Sequence, residues 1–276
     1  MTQNTNDLEQ HLEALQASLS SGDPKGVAEG LGNLGRAASA AGRRGRAVLY
    51  FETALTLHRA IGDGWGTFLD LLTQGEELLG MPNQLVTALA CYTLAHEAAI
   101  AIDAPEAEKV KLRVESVIGQ ISDKLPEQGE QLRKVLAEDA EMLRAQGVQL
   151  LLDQGPLAAA FFDDQLSVAR LMGDAGGVFL SLGSQAKVLT DGEELAGALA
   201  ALQLAEAASK TVQGLSKDDI KGMLAEWKQG LEEAATSRGT TTAALREEVR
   251  EGLEAARADA IARLRADDVP PERGDG

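Results

Sequence analysis

The dipeptide Gly22-Asp23 returns forty residues later as Gly62-Asp63, Ile102-Asp103 stands one further step along, and Gly173-Asp174 repeats the phrase once more. Self-similarity at this interval specifies helical hairpins that stack, because one such unit is too small to bury its own apolar face. Good helix formers dominate the chain, aromatic residues make up 3 %, and no segment shows sustained β-branched alternation. The expectation is an all-α fold with essentially no sheet.

The hairpins can be read residue by residue. In the first, Asp23 is placed to cap a helix and Pro24 sits at its first position, where the missing N–H costs nothing. Val27, Leu31, Leu34, Gly35 and Ala38 follow at helical spacing, and Gly42 ends the helix. A second helix carries Ala47, Tyr50, Phe51, Ala54 and Leu57. Small residues at Gly35, Ala47 and Ala54 allow close approach, and Leu34 and Phe51 fill the gaps.

The patterns Leu31-x-x-Leu34-Gly35-x-x-Ala38 and Ala47-x-x-x-Phe51-x-x-Ala54 resemble the tetratricopeptide repeat. The Gly-Asp opening and the long second helix are similar to its forty-residue variety. Leu31 stands where that pattern often has Trp, and Ala38 where it often has Tyr. The resemblance implies a right-handed solenoid of antiparallel helix pairs, with about five to six repeats and capping helices at both ends.

In the second repeat Leu71, Gly75 and Leu78 match, Gln74 replaces the expected leucine, and Ala88, Tyr92 and Ala95 arrive one residue late. The fourth is recognised from Gly155-Pro156, Ala158 and Phe162, and the fifth from Leu182, Ala186, Ala198, Leu202 and Ala205. Two repeats must fit between Asp103 and Asp174, which are only 71 residues apart. Pro105 is expected to start one helix with a Val110, Val114, Ile118, Ile121 stripe, and Pro126 the next, broken at Asp139. One long helix over 126–154 is the alternative.

Leu8, Leu12, Leu15 and Leu19 read as an N-terminal capping helix, and Ser216-x-x-Asp219 as a capping box before Ile220, Leu224, Trp227 and Leu231. The last helix is expected over about Ala243–Ala266, packed on Trp227. Residues 1–236 thus read as one repeat domain, 237–266 as its C-terminal cap, and 267–276 as a disordered tail.

Charge narrows the partners. A net charge of −17 repels polyanions, so nucleic acid is not expected, and no apolar run approaches the length of a bilayer span. The first residues lack the basic and apolar regions of a signal peptide, which makes the cytoplasm the expected compartment. Cys91, the single cysteine, reads as a small buried hydrophobe.

No constellation of side chains points to catalysis, a metal or a cofactor. His11, His58 and His96 stand alone, and His58 reads as a cation near a helix end beside Arg59. Adjacent carboxylates such as Glu76-Glu77 and Asp163-Asp164 diverge by about 100 degrees on a helix. Gly30-x-Gly32-x-x-Gly35 fits a phosphate-loop spelling but lies inside a helix and follows no strand. Arg43, Arg44 and Arg46, with Arg36 behind them, read as an exposed turn.

The resemblance implies a non-enzymatic scaffold or adaptor that holds a protein or peptide segment in a concave groove lined by first helices. Carried over position by position, the groove residues are Glu29, Asn33 and Arg36, then Leu69, Thr73 and Glu76, then Leu180, Ser184 and Lys187. The alternative is a homo-oligomeric structural protein with an idle groove.

Overall fold

The computed structural model describes residues 2–266 apart from 154 and 251, so the tail expected over 267–276 lies outside the described residues. The described residues form thirteen helices and no strand, an all-α fold. None of these helices is long and apolar enough to cross a membrane. The chain divides into two compact units, Met1–Leu151 and Leu152–Gly276.

The first unit holds α1 (Thr2–Ser21), α2 (Pro24–Ala40), α3 (Arg44–Ile61), α4 (Gly64–Leu79), α5 (Leu85–Ala101), α6 (Ala107–Lys124) and α7 (Pro126–Leu151). Each helix packs on the next, and α7 lies chiefly on α5. The second unit holds α8 (Gly155–Met172), α9 (Ala175–Asp191), α10 (Leu195–Ala208), α11 (Lys217–Ser237), α12 (Thr242–Glu248) and α13 (Leu253–Ala266).

The Gly-Asp phrase builds the turns. Gly22, Gly62 and Gly173 adopt φ of +69°, +72° and +66°, the left-handed conformation that ends a helix at least cost in glycine. The following aspartate returns its N–H to the previous helix, Asp23 to Ser18 O at 3.0 Å, Asp63 to His58 O at 2.9 Å and Asp174 to Ala169 O at 2.9 Å. Asp63 also accepts Gly66 N–H at 2.9 Å, whereas Asp23 caps by position without a side-chain bond.

The third step departs from the expected register. Asp103 itself takes the left-handed turn, at φ +54°, and Ala104 N–H reaches Ala99 O at 2.8 Å. Asp103 therefore replaces the glycine of the phrase, not its aspartate. The extra residue enters upstream at Asn83, which has φ +61° and delays all of α5 by one position. The next helix starts at Ala107 instead of Pro105, after a turn at 105–106.

The expected break falls at Asp139: α7 is two helical stretches joined across a kink where Asp139 leaves helical geometry at φ −134°, ψ 24°. One further expectation is corrected. The single helix over 243–266 is instead α12 and α13, interrupted between Val249 and Gly252. Here α13 lies on α8 and α10. The Trp227 ring is turned toward Phe179, with centroids 5.2 Å apart, and fills the space over Gly183 of α9.

The two units repeat one set of contacts. In the first, Arg144 on α7 is 4 % exposed and bonds Glu52 on α3, while Glu141 is bridged by Arg144 and by Arg59 at 3.0–3.1 Å. Gln74 on α4 donates to Glu52 at 3.1 Å. In the second, Arg257 on α13 bonds Asp163 on α8 at 2.8 Å and Gln185 on α9 at 3.0 Å, while Glu254 is bridged by Arg257 and Arg170. Asp163, Arg170 and Gln185 each lie 111 residues after their counterparts, and Glu254 and Arg257 lie 113 after theirs. The small-residue contact is mirrored with the sizes exchanged, Gly147 against Thr87 in one unit and Ala260 against Gly197 in the other.

Close approach sets the hairpin spacing. A Cβ on Gly35 would come within 2.6 Å of the Phe51 ring, and one on Gly75 within 2.9 Å of Tyr92. Replacing Gly35 with Leu should therefore overpack α2 against α3 and cost about 1–3 kcal/mol in chemical denaturation. An unchanged denaturation midpoint would show that this contact does not set the spacing.

Candidate functional site

The first two candidate trios lie on α2 and α4 of the first unit. On α2, Glu29 and Arg36 are exposed and Asn33 is half-buried. On α4, Glu76 is exposed and Leu69 and Thr73 are half-buried. The helical spacing puts each trio on one side of its helix, and α2 and α4 touch directly.

Polar contacts already organise these residues. Arg36 donates to Asn33 Oδ1 at 2.5 Å, so the Asn33 NH2 remains as a donor. Glu76 accepts from Arg113 of α6 at 3.2 Å, and the same guanidinium lies 4.8 Å from the centre of the Tyr92 ring. Thr73 is not a free ligand. Its hydroxyl donates to the carbonyls of Leu69 and Asp70, at 2.8 and 3.1 Å.

The third trio sits on α9 in the second unit, where Leu180 and Lys187 are exposed and Ser184 is half-buried.

Trp65 is the residue that pattern matching overlooked. It stands one helical turn before Leu69 on the same side of α4 and is 47 % exposed. Every other aromatic side chain in the chain is buried or half-buried. Its ring stacks at a tilt on buried Phe68, with centroids 5.4 Å apart, so it is held in place instead of swinging freely. The i, i+4 relation of Trp65 to Leu69 was available in the sequence as the signal.

His58 stands in the last turn of α3, near the helix end where the sequence places it. It is buried, and its Nδ1 lies 2.7 Å from Asp70 Oδ2 across the α3–α4 contact. The imidazole fits there because Gly66 leaves room beside it. Burial disfavours the charged ring, but the hydrogen bond and charge of Asp70 outweigh this and raise its pKa above the ordinary value. Burial pushes the Asp70 carboxyl up to about 6 despite the opposing pull of His58 and Arg36. Asp63 and Glu29 add negative charge near the ring, and Glu52 adds it near the carboxyl.

Burial pushes the Cys91 thiol up to about 12, which suppresses the thiolate. Among the described residues no group of three His, Cys, Asp or Glu side chains converges on a metal position. No protein-family model, curated protein or solved structure matches the chain.

The His58–Asp70 pair has a testable sign. Both folded pKa values are raised, so the folded state holds the extra protons. The contribution is complete below the unfolded pKa of each group and is lost as pH rises through about 6 and then through the raised His58 value. In Asp70→Asn the buried ring keeps the desolvation and loses the carboxylate. Lowering pH from 8 to 6 should therefore raise the thermal midpoint of the parent relative to Asp70→Asn. Parallel profiles of the two proteins would contradict the coupling.

Proposed function

We propose that the chain is a tetratricopeptide-like scaffold whose first unit holds an extended segment of another protein against the α2–α4 face. The observation that carries this reading is Trp65, an exposed aromatic anchored by Phe68 in a chain that otherwise covers its rings. Tryptophan and arginine supply much of the energy where proteins meet. Trp65 and Leu69 offer an apolar ledge for a side chain of the segment. The NH2 of Asn33, held by Arg36, offers a donor to a backbone carbonyl. Glu29, Glu76 and Arg113 border that ledge with charge of both signs.

The repeat spacing, the left-handed Gly turns and the small residues at helix contacts support the family-like architecture. On this reading the second unit contributes Leu180, Ser184 and Lys187 as a further patch of the scaffold, and the work of the protein is non-catalytic.

A displayed random-peptide library tests the proposal. Peptides selected on the parent protein should bind Trp65→Ala/Asn33→Ala at least about tenfold more weakly, the loss expected from one aromatic anchor and one hydrogen bond. The melting temperature should change little, because both side chains lie at the surface. If the selected peptides bind the double variant equally well, the face is not the binding site. A concentration-dependent mass in light scattering, with no peptide enriched, would favour self-assembly instead.

A further inference from the structure

The second unit contains an open cavity of about 640 Å³ lined by α10, α11, α12 and Leu253 of α13. Its floor includes five leucines, among them Leu199 and Leu224, and its rim carries Glu206, Lys210, Lys228, Glu232 and Arg246. The volume is in the range of small-molecule sites.

The first unit shows what closes the same seam. There Ile118 of α6 is 2 % exposed and packs with Leu89 and Leu136, and Gly129 of α7 lets Ser122 approach too closely for any Cβ. The corresponding positions of the second unit are Lys228, Thr242 and Glu232, all of which line the cavity. The register follows from shared core contacts, with Val110 and Ile220 each packed on the phenylalanine of the preceding hairpin, Phe68 and Phe179. Bulk and charge thus stand where the sealed copy has an isoleucine, a glycine and a serine. Trp227 adds to the opening, because its ring is seated over Gly183 and holds α11 toward α9.

The charges point to the ligand. In the sealed copy Arg133 is paired with Glu115 at 3.5 Å and Glu130 at 3.6 Å. Its counterpart is Arg246, and the two acids are replaced by Ala225 and Ala243. Arg246 forms no ion pair among the described residues, although the chain has 43 acidic residues against 26 basic ones. Lys228 is neutralised by Glu206, which leaves Arg246 and Lys210 against Glu232 at the rim.

We propose that this cavity binds a small amphipathic carboxylate, with its head bidentate on the Arg246 guanidinium and its apolar body on the leucines. A planar guanidinium stripped of its acids matches a carboxylate in shape and charge. Burial of the body against leucine supplies the remaining affinity.

Decanoate, below its micelle concentration, is the probe, with decanol and decyltrimethylammonium as controls, titrated calorimetrically into the full chain. The proposal expects saturable one-to-one binding of decanoate, at least about tenfold weaker binding of decanol and less still of the cation. Ala225→Glu/Ala243→Glu lies on the exposed surface and restores the acids that flank Arg133, so it should abolish decanoate binding without unfolding the protein. No binding of decanoate to the parent, equal binding of the cation, or unchanged affinity in Ala225→Glu/Ala243→Glu would each overturn the proposal.

Discussion

A guanidinium buried among three helices is the constraint on which both units turn. Arg144 and Arg257 are 4 % and 6 % exposed, and a charge so placed is tolerated only with its partners present. Each is met by a carboxylate from one hairpin helix and one from its own helix, with a glutamine of the hairpin close by. Removing one partner would leave an uncompensated charge in the core, typically a loss of 3–5 kcal/mol or so. The network therefore fixes where the added helix sits on the hairpin, α7 on α3–α5 and α13 on α8–α10. In the first unit burial opposes the Glu141 charge, yet the bonds from Arg59 and Arg144 draw its carboxyl down to about 2.

Around that fixed point the two units diverge through packing. Gly147 meets Thr87 where Ala260 meets Gly197, so the helices approach closely in both although the glycine has changed sides. At the seam beyond, the first unit closes on Ile118 and Gly129, and the second opens around Lys228 and Thr242. Duplicated architecture with unequal seams leaves one unit with an exposed aromatic face and the other with a charged cavity.

Much of this was legible in the chain itself. The Gly-Asp phrase located three turns correctly because a left-handed C-terminal position favours glycine so strongly that the letter marks the geometry. Capping was legible at Ser216, whose hydroxyl accepts Asp219 N–H at 3.0 Å. The candidate residues on α2 and α4 came from the resemblance, position by position, and helical spacing puts each trio on one side of its helix. Trp65 was missed because a repeat pattern directs attention to matched positions, and Trp65 lies outside them. The His58–Asp70 pair and both arginine networks were missed for another reason. Apart from the i, i+3 pairs Glu141–Arg144 and Glu254–Arg257, their members are 12 to 94 residues apart, and no local periodicity links those.

The sequence by itself determined the helical class, the turn positions and the small residues at helix contacts, since these depend on backbone preference and side-chain volume within one or two turns. Only the tertiary structure decided that the last segment is two helices lying on α8 and α10. It alone paired Arg246 with a cavity while its counterpart Arg133 is paired with acids. Those outcomes depend on which side chains meet across helices, a balance of volume and charge between residues that are remote along the chain.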